Sequence, residues 1–125
     1  CDRQGQFEIC LELGNCHQKL SKYTEAMEFY KQCKAVAGDS DNQAEENWGI
    51  INLNLGICYF YKGQSSTAIG LITEALVISE KLGQVARGML GGCHNSLGGC
   101  HQSLGEYLEA TQQFQHACAI AKELG

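Results

Sequence analysis

The chain has 125 residues, no proline and 44% hydrophobic residues, a composition that indicates a folded, mostly helical protein rather than a disordered one. The net charge is −5, and the sequence has no stripe of basic residues to neutralise phosphates, so nucleic-acid binding is not expected. A negative net charge favours basic partners where charge guides association. The longest uncharged run, 88–105, is too rich in glycine and polar residues to span a membrane.

One short motif recurs along the chain at intervals of 42 residues. It is a Leu-Gly pair with a cysteine two residues after the glycine and an alanine further on in the same register. The glycines and alanines are Gly14, Gly56, Gly98, Ala26, Ala68 and Ala110. A fixed period of this size is typical of a solenoid built from one repeated helical hairpin. Since the chain begins with Cys1 rather than Met and ends at a repeat boundary, we expect a fragment of a longer array.

The first predicted hairpin covers residues 7–42. We expect a frayed polar lead-in at 1–6, a first helix at 7–20, a turn at 21–22 and a second helix at 23–37. The inner residues of the two helices recur every three or four positions: Cys10, Leu13, Gly14 and His17 in the first, and Tyr23, Ala26, Met27, Tyr30 and Cys33 in the second. Ser40 and Gln43 have the spacing of a capping box for the third helix.

The second hairpin, 43–83, contains the most apolar helix, at 43–61, and a helix at 65–82 that Gly83 ends.

The third hairpin, 84–125, is predicted to have helices at 84–104 and 107–124. The first of these holds five glycines. Each interior glycine costs about 0.8–1 kcal/mol against alanine, so a loop competes with the helix that the repeat register favours. The last helix is expected to turn five residues inward: Tyr107, Ala110, Phe114, Ala117 and Ala121.

Eight cysteines are many for this length. Cys16, Cys58 and Cys100 occupy one repeat position, and equivalent positions lie a whole repeat apart, too far for a disulfide. We therefore interpret the cysteines as small buried apolar residues of a protein in a reducing compartment, the cytoplasm.

Three Cys-His neighbours, at 16–17, 93–94 and 100–101, suggest a metal site or a nucleophile. Neighbouring residues on a helix point about 100° apart, and residues seven apart are separated by about 10.5 Å. Zinc holds each ligand at about 2.3 Å, and a nucleophile needs its base within hydrogen-bond reach. We predict no catalytic residue, metal or cofactor, and interpret these pairs as packing residues.

The repeat resembles the tetratricopeptide repeat family. In that family Leu-Gly is followed three residues later by an aromatic residue, and then by Ala, an aromatic and Ala. The matching residues are Leu13, Gly14, His17, Ala26, Tyr30 and Cys33; Leu55, Gly56, Tyr59, Ala68, Ile72 and Ala75; and Leu97, Gly98, His101, Ala110, Phe114 and Ala117. The repeat is longer than usual and lacks the family's proline. In length and in Leu-Gly-Asn at 13–15 it is similar to the long-repeat subtype of Pins-type polarity adaptors and kinesin light chains.

The resemblance implies an all-α, right-handed superhelical solenoid of three antiparallel helix–turn–helix units of about 42 residues. It also implies a protein-interaction module of an adaptor or scaffold, not an enzyme, that binds a peptide or helix in a concave groove lined by the first helices. The groove residues carried over from the family are Glu8, Leu11, Asn15, Gln18 and Lys19; Ile50, Leu53, Asn54, Ile57, Phe60 and Tyr61; and Gly92, Asn95, Gly99, Gln102 and Ser103.

Within this groove, the residue after each repeated Leu-Gly is expected to set specificity: Asn15, Ile57 and Gly99. Phe60 and Tyr61 could instead belong to the core of the middle repeat, and that alternative stays open. A two-carboxylate clamp for chaperone tails is not expected, because Leu11, Gly92 and Ser96 stand where the clamp needs basic residues. The alternative function is self-association through an uncovered last helix, near Phe114, Ala117 and Ile120.

Overall fold

The computed structural model describes residues 2–38 and 42–125, without the side chains of 42 and 43. Within these ranges the chain folds into six α-helices joined by short turns, and it contains no strand. The helices are α1 (Arg3–Lys19), α2 (Tyr23–Val36), α3 (Asn42–Tyr61), α4 (Ser65–Leu82), α5 (Arg87–Ser103) and α6 (Tyr107–Leu124). None of the helices in the described part combines the length and apolar character that crossing a membrane requires.

The bounds of the predicted helices agree with the observed ones to within one residue, except at the starts of α1 and α5. The expected frayed lead-in is wrong, because α1 already begins at Arg3 and the Gln6 amide donates to the Asp2 carbonyl over 3.0 Å. The glycine-rich segment is helical, but its first turn is a 3₁₀ turn at Gly83–Ala86. The capping box predicted for Ser40 and Gln43 lies outside the described residues.

Successive helices pack against each other in pairs. The hairpins α1–α2, α3–α4 and α5–α6 have the most extensive contacts, and the α2–α3 and α4–α5 contacts join them into an all-α helical repeat solenoid. Helices α3 and α5, each the first of its hairpin, also touch directly. The first helices of the second and third hairpins therefore lie side by side.

The repeated glycine lies where the two helices of a hairpin come closest. A Cβ atom at Gly14 would lie 2.5 Å from Cε1 of Tyr30. At Gly56 it would lie 2.5 Å from Cγ1 of Ile72, and at Gly98 it would lie 2.6 Å from Cε1 of Phe114. No real Cβ tolerates such distances, so the large side chain of the second helix needs glycine on the first, as the repeat pattern predicts.

The core lies between the helices as two clusters of buried residues. The first joins α1, α2 and α3, and the second joins α4 and α5. Their largest members with no more than 2% exposure are Phe7, Tyr30, Cys33, Ile51, Cys58, Ile72, Cys93 and Cys100. Cysteine thus serves as a small packing residue at four described positions.

The first hairpin departs from the predicted burial. Leu13 is 40% exposed and Cys16 is exposed, whereas their repeat equivalents Leu55 and Cys58 are buried. In the described chain no helix precedes α1 to cover this face. The prediction of buried cysteines is therefore wrong for Cys16, and for Cys118 on the last helix, which is also exposed.

The last helix turns less of its surface inward than predicted. Tyr107 is 66% exposed, Phe114 is 36% exposed and Ala121 is exposed, while Ala110 is buried. Ile120, expected on the uncovered face, is instead only 5% exposed. The physical reason is that α6 packs mainly against α5 and has no following helix in the described chain.

Candidate functional site

A cleft of about 390 Å³ is lined mainly by the first helices α3 and α5, with one residue each from α1 and α6. Its lining residues are Gln18, Ile57, Phe60, Tyr61, Asn95, Ser96, Gly99 and Phe114. We call this set the inner cleft. It combines aromatic and aliphatic surface from α3 with short polar side chains and bare backbone from α5.

The aromatic side of the inner cleft is built at the end of α3. The Tyr61 ring stacks on Tyr23 of α2 with a centroid distance of 5.1 Å and an interplanar angle of 9°. The Phe60 ring meets Tyr61 edge to face at 5.2 Å. Tyr61 nevertheless remains 58% exposed, whereas Phe60 is half-buried against the second core cluster. Tyr61 is thus held by its neighbours and still offers a large uncovered surface.

The opposite side of the inner cleft is the glycine-rich face of α5. A Cβ atom at Gly99 would lie 3.6 Å from Cζ of Phe60, and one at Gly92 would lie 3.5 Å from Cδ2 of Leu53. These are ordinary contact distances, so neither glycine is required by a clash, and Gly99 leaves the backbone of α5 close to Phe60. A bound chain could approach that backbone closely.

The polar end of the inner cleft is tied to the first hairpin through Tyr30. The Tyr30 ring is fully buried over Gly14, and its hydroxyl lies 2.7 Å from both Asn15 Oδ1 and Gln18 Oε1. A phenol has one proton, so it donates to one amide, and the other amide fits the site by turning its NH₂ group to the hydroxyl. Burial and nearby thiols raise the Tyr30 pKa well above its ordinary value, which keeps the hydroxyl protonated.

This contact changes the role expected of Asn15. Sequence reasoning placed Asn15 in the groove as a specificity residue, but its amide is engaged by Tyr30. The signal for the contact is the glycine at position 14, which leaves room for the tyrosine to reach past α1.

Phe114 occupies the same repeat position as Tyr30 and reaches the inner cleft past Gly98, although sequence reasoning assigned it to the inside of α6.

The remaining predicted groove residues lie outside the inner cleft. Leu11 and Leu53 are half-buried and pack against the first and second core clusters. Asn54 is half-buried, while Lys19 and Gln102 are exposed. The structure therefore brings together six residues of the predicted set, adds Ser96 and Phe114, and distributes the others along the same helices; the six are Gln18, Ile57, Phe60, Tyr61, Asn95 and Gly99.

Four buried thiols are held in their protonated form. Burial raises the pKa of Cys58, Cys93 and Cys100 to about 11 and, together with the adjacent Cys10 thiol, that of Cys33 to about 12. Protonated thiols are poor nucleophiles and poor metal ligands. Among residues 2–38 and 42–125, no three His, Cys, Asp or Glu side chains lie close enough to share a metal ion.

The sequence profile of the tetratricopeptide repeat matches residues 7–39, the segment that contains most of α1 and all of α2. A comparison with curated proteins gives no significant match. The packing seen in the matched hairpin, with a large side chain over a repeated glycine, returns in the other two hairpins. Helical repeats of this kind are typically interaction modules with protein partners rather than enzymes. Over residues 7–39 the chain is thus similar to the tetratricopeptide repeat, within an all-α helical repeat architecture.

Proposed function

We propose that the chain binds a peptide or a helix of a partner protein in the inner cleft. The observation that carries this proposal is Tyr61, which is fixed by stacking on Tyr23 and is still 58% exposed beside Phe60 and Ile57. Rigid aromatic side chains with uncovered surface are typical anchors of protein interfaces, because little conformational entropy is lost when a partner covers them. Exposure on this scale also argues against Tyr61 as a core residue of the middle repeat.

The chemistry of the lining suggests how a partner would be held. An apolar side chain of the partner packs against Ile57, Phe60 and Tyr61. Its backbone approaches α5 at Gly99 and pairs with the Asn95 amide and the Ser96 hydroxyl. Because Leu11, Gly92 and Ser96 supply no positive charge, a partner whose recognition depends on a terminal carboxylate does not fit.

The proposal extends to the wider context of the chain. Three hairpins at 7–42, 43–83 and 84–125 act as repeat units of one domain in a cytoplasmic adaptor or scaffold, and the 42-residue period supports the long-repeat subtype. The seven free cysteines of the described chain are compatible with a reducing compartment.

The experiment compares two exposed tyrosines on different surfaces. Peptides selected from a display library against the wild-type chain are titrated calorimetrically into Tyr61→Ala and into the matched control Tyr107→Ala, whose side chain is 66% exposed on α6. If Tyr61 anchors the ligand, its removal costs about 2 kcal/mol of binding, roughly 30-fold in affinity. The control should bind like wild type.

Melting temperatures are measured on the same samples, together with Asn15→Ala. Because Asn15 bonds Tyr30, we expect its replacement to lower stability more than affinity. Unchanged affinity of Tyr61→Ala with a lowered melting temperature would reduce Tyr61 to a packing residue and refute the proposal.

A second candidate function is self-association through α6. It is favoured by the apolar residues exposed on and before that helix: Leu104, Tyr107, Leu108 and Leu124. Light scattering over a range of concentrations distinguishes the candidates, since a mass that rises with concentration and falls back in Leu108→Glu supports self-association. A constant monomeric mass removes this candidate and leaves peptide binding untouched.

A further inference from the structure

A second and larger cleft, of about 570 Å³, lies between the start of α3 and the end of α4. Its lining residues are Ala44, Glu45, Trp48, Asn52, Glu74, Val77 and Ile78. We call it the outer cleft. It shares no residue with the inner cleft, and most of its wall is apolar, so it forms a separate surface of the molecule.

Asn52 gives this cleft an unusual polar feature. The residue is only 3% exposed, and its Nδ2 donates to Glu74 Oε2 over 3.3 Å. An ionised carboxylate accepts hydrogen bonds and cannot donate them, so the amide nitrogen has to face Glu74. The amide oxygen is then buried without any hydrogen-bond partner in the described chain. A buried acceptor of this kind is costly unless a donor reaches it.

The charges around the outer cleft are also unbalanced. The lining contains two carboxylates and no basic side chain. Glu45 is neutralised by Lys81, whose Nζ lies 2.9 Å from its carboxylate. Glu74 forms no ion pair within the described ranges and is exposed. Glu74 therefore has no cation beside it, and the oxygen of Asn52 has no hydrogen-bond donor. The two side chains are neighbours, so one group in the cleft could serve both.

Trp48 completes the wall of the cleft with a fixed aromatic ring. Its indole N–H donates to the Gly38 carbonyl over 2.8 Å, which fixes the ring. The Lys34 ammonium, from outside the lining, sits 4.8 Å from the ring centroid. The ring therefore already holds one cation, and what it adds to the wall of the cleft is apolar surface.

We propose that the outer cleft binds an arginine side chain of a partner protein. The guanidinium group has five N–H donors in one plane, so it can donate to Asn52 Oδ1 and to the Glu74 carboxylate at the same time. Its aliphatic stem packs along Val77, Ile78 and the Trp48 ring. A lysine ammonium is a more strongly hydrated point charge and matches this pair of acceptors less well. The site does not depend on the inner cleft or on the peptide proposed there.

Trp48 makes the proposal directly measurable, because it is the only tryptophan of the chain. Its fluorescence and its indole N–H signal in NMR spectra report on the outer cleft alone. The probes are the N-acetyl methylamides of arginine, lysine, citrulline and leucine, titrated separately. We expect the arginine derivative to shift the Trp48 indole and Asn52 amide signals in a saturable way. Citrulline, which keeps the shape and loses the charge, should bind about tenfold more weakly.

Two glutamates on α4 provide the matched variants. Glu74→Gln should weaken binding of the arginine derivative about tenfold, while Glu80→Gln, an exposed residue outside the lining, should leave it unchanged. Both changes lie at exposed positions, so folding is expected to survive, and circular dichroism verifies it. Equal binding of arginine, lysine and citrulline, equal affinity of both variants, or the absence of saturable shifts would each overturn the proposal.

Discussion

Replacement of Gly56 by alanine tests how the hairpins are held together. The new Cβ would lie 2.5 Å from Cγ1 of Ile72 and 3.2 Å from the carbonyl oxygen of Ala68. Ile72 is fully buried, so its side chain has no free space to enter, and the carbonyl belongs to the backbone of α4. The clash can be relieved only if α3 and α4 move apart.

The expected change in the free energy of unfolding follows from two opposing effects. Overpacking a core costs about 1–3 kcal/mol, while alanine gains about 0.8–1 kcal/mol over glycine in a helix interior. Gly70→Ala is the matched control, because Gly70 lies inside α4 and a Cβ there meets nothing within 4 Å. The control should show the gain alone, so the two variants should differ in unfolding free energy by about 1–3 kcal/mol. Gly98→Ala should lose less than Gly56→Ala, since Phe114 is 36% exposed and its ring can turn away.

Urea unfolding followed by circular dichroism measures these differences, and unchanged m-values would show that stability rather than compactness has altered. In thermal unfolding, 1 kcal/mol corresponds to roughly 3–5 °C for a chain of this size. A Gly56→Ala variant as stable as Gly70→Ala would refute the reasoning, because it would mean that the helices accommodate a Cβ at their closest contact without cost.

Two further predictions concern buried groups of the core. Tyr30→Phe removes the hydroxyl that bonds Asn15 and should lower the unfolding free energy by about 1 kcal/mol in urea; no change would show that water satisfies these amides equally well. The pKa of Cys58, Cys93 and Cys100 is raised from 9.0 to about 11, so the folded state keeps protons that the unfolded chain releases above pH 9. Stability should be full below pH 9 and fall between pH 9 and about 11, by about 1.4 kcal/mol per pH unit for each thiol. A flat profile of urea midpoints over that window would contradict their burial.

The helices themselves could be predicted from the sequence. Apolar residues at spacings of three and four, with a glycine at each break, placed α4 and α6 at their observed bounds. The 42-residue register also predicted that the glycine-rich segment is helical, where local propensity alone would have favoured a loop. The start of α1 could not be predicted in this way, because its first turn is polar and lies before the buried Phe7 that anchors the helix.

The candidate sites were harder to predict than the helices, because they are formed by residues that are distant in the sequence. The register placed Ile57, Phe60, Tyr61 and Asn95 on first helices, where they line the inner cleft. It did not reveal that Tyr30 engages Asn15, or that Asn52 keeps an unpaired oxygen next to Glu74.

The sequence by itself determined the helices, their order and the repeated glycine contacts, since these depend on residues close in the chain and on a period that recurs three times. The tertiary structure decided which equivalent positions are buried. Leu13 and Leu55 share one repeat position, yet Leu13 is 40% exposed and Leu55 is 5% exposed. Burial is a property of the neighbours that surround a residue, and in the described chain the repeats at the two ends have a neighbour on one side only.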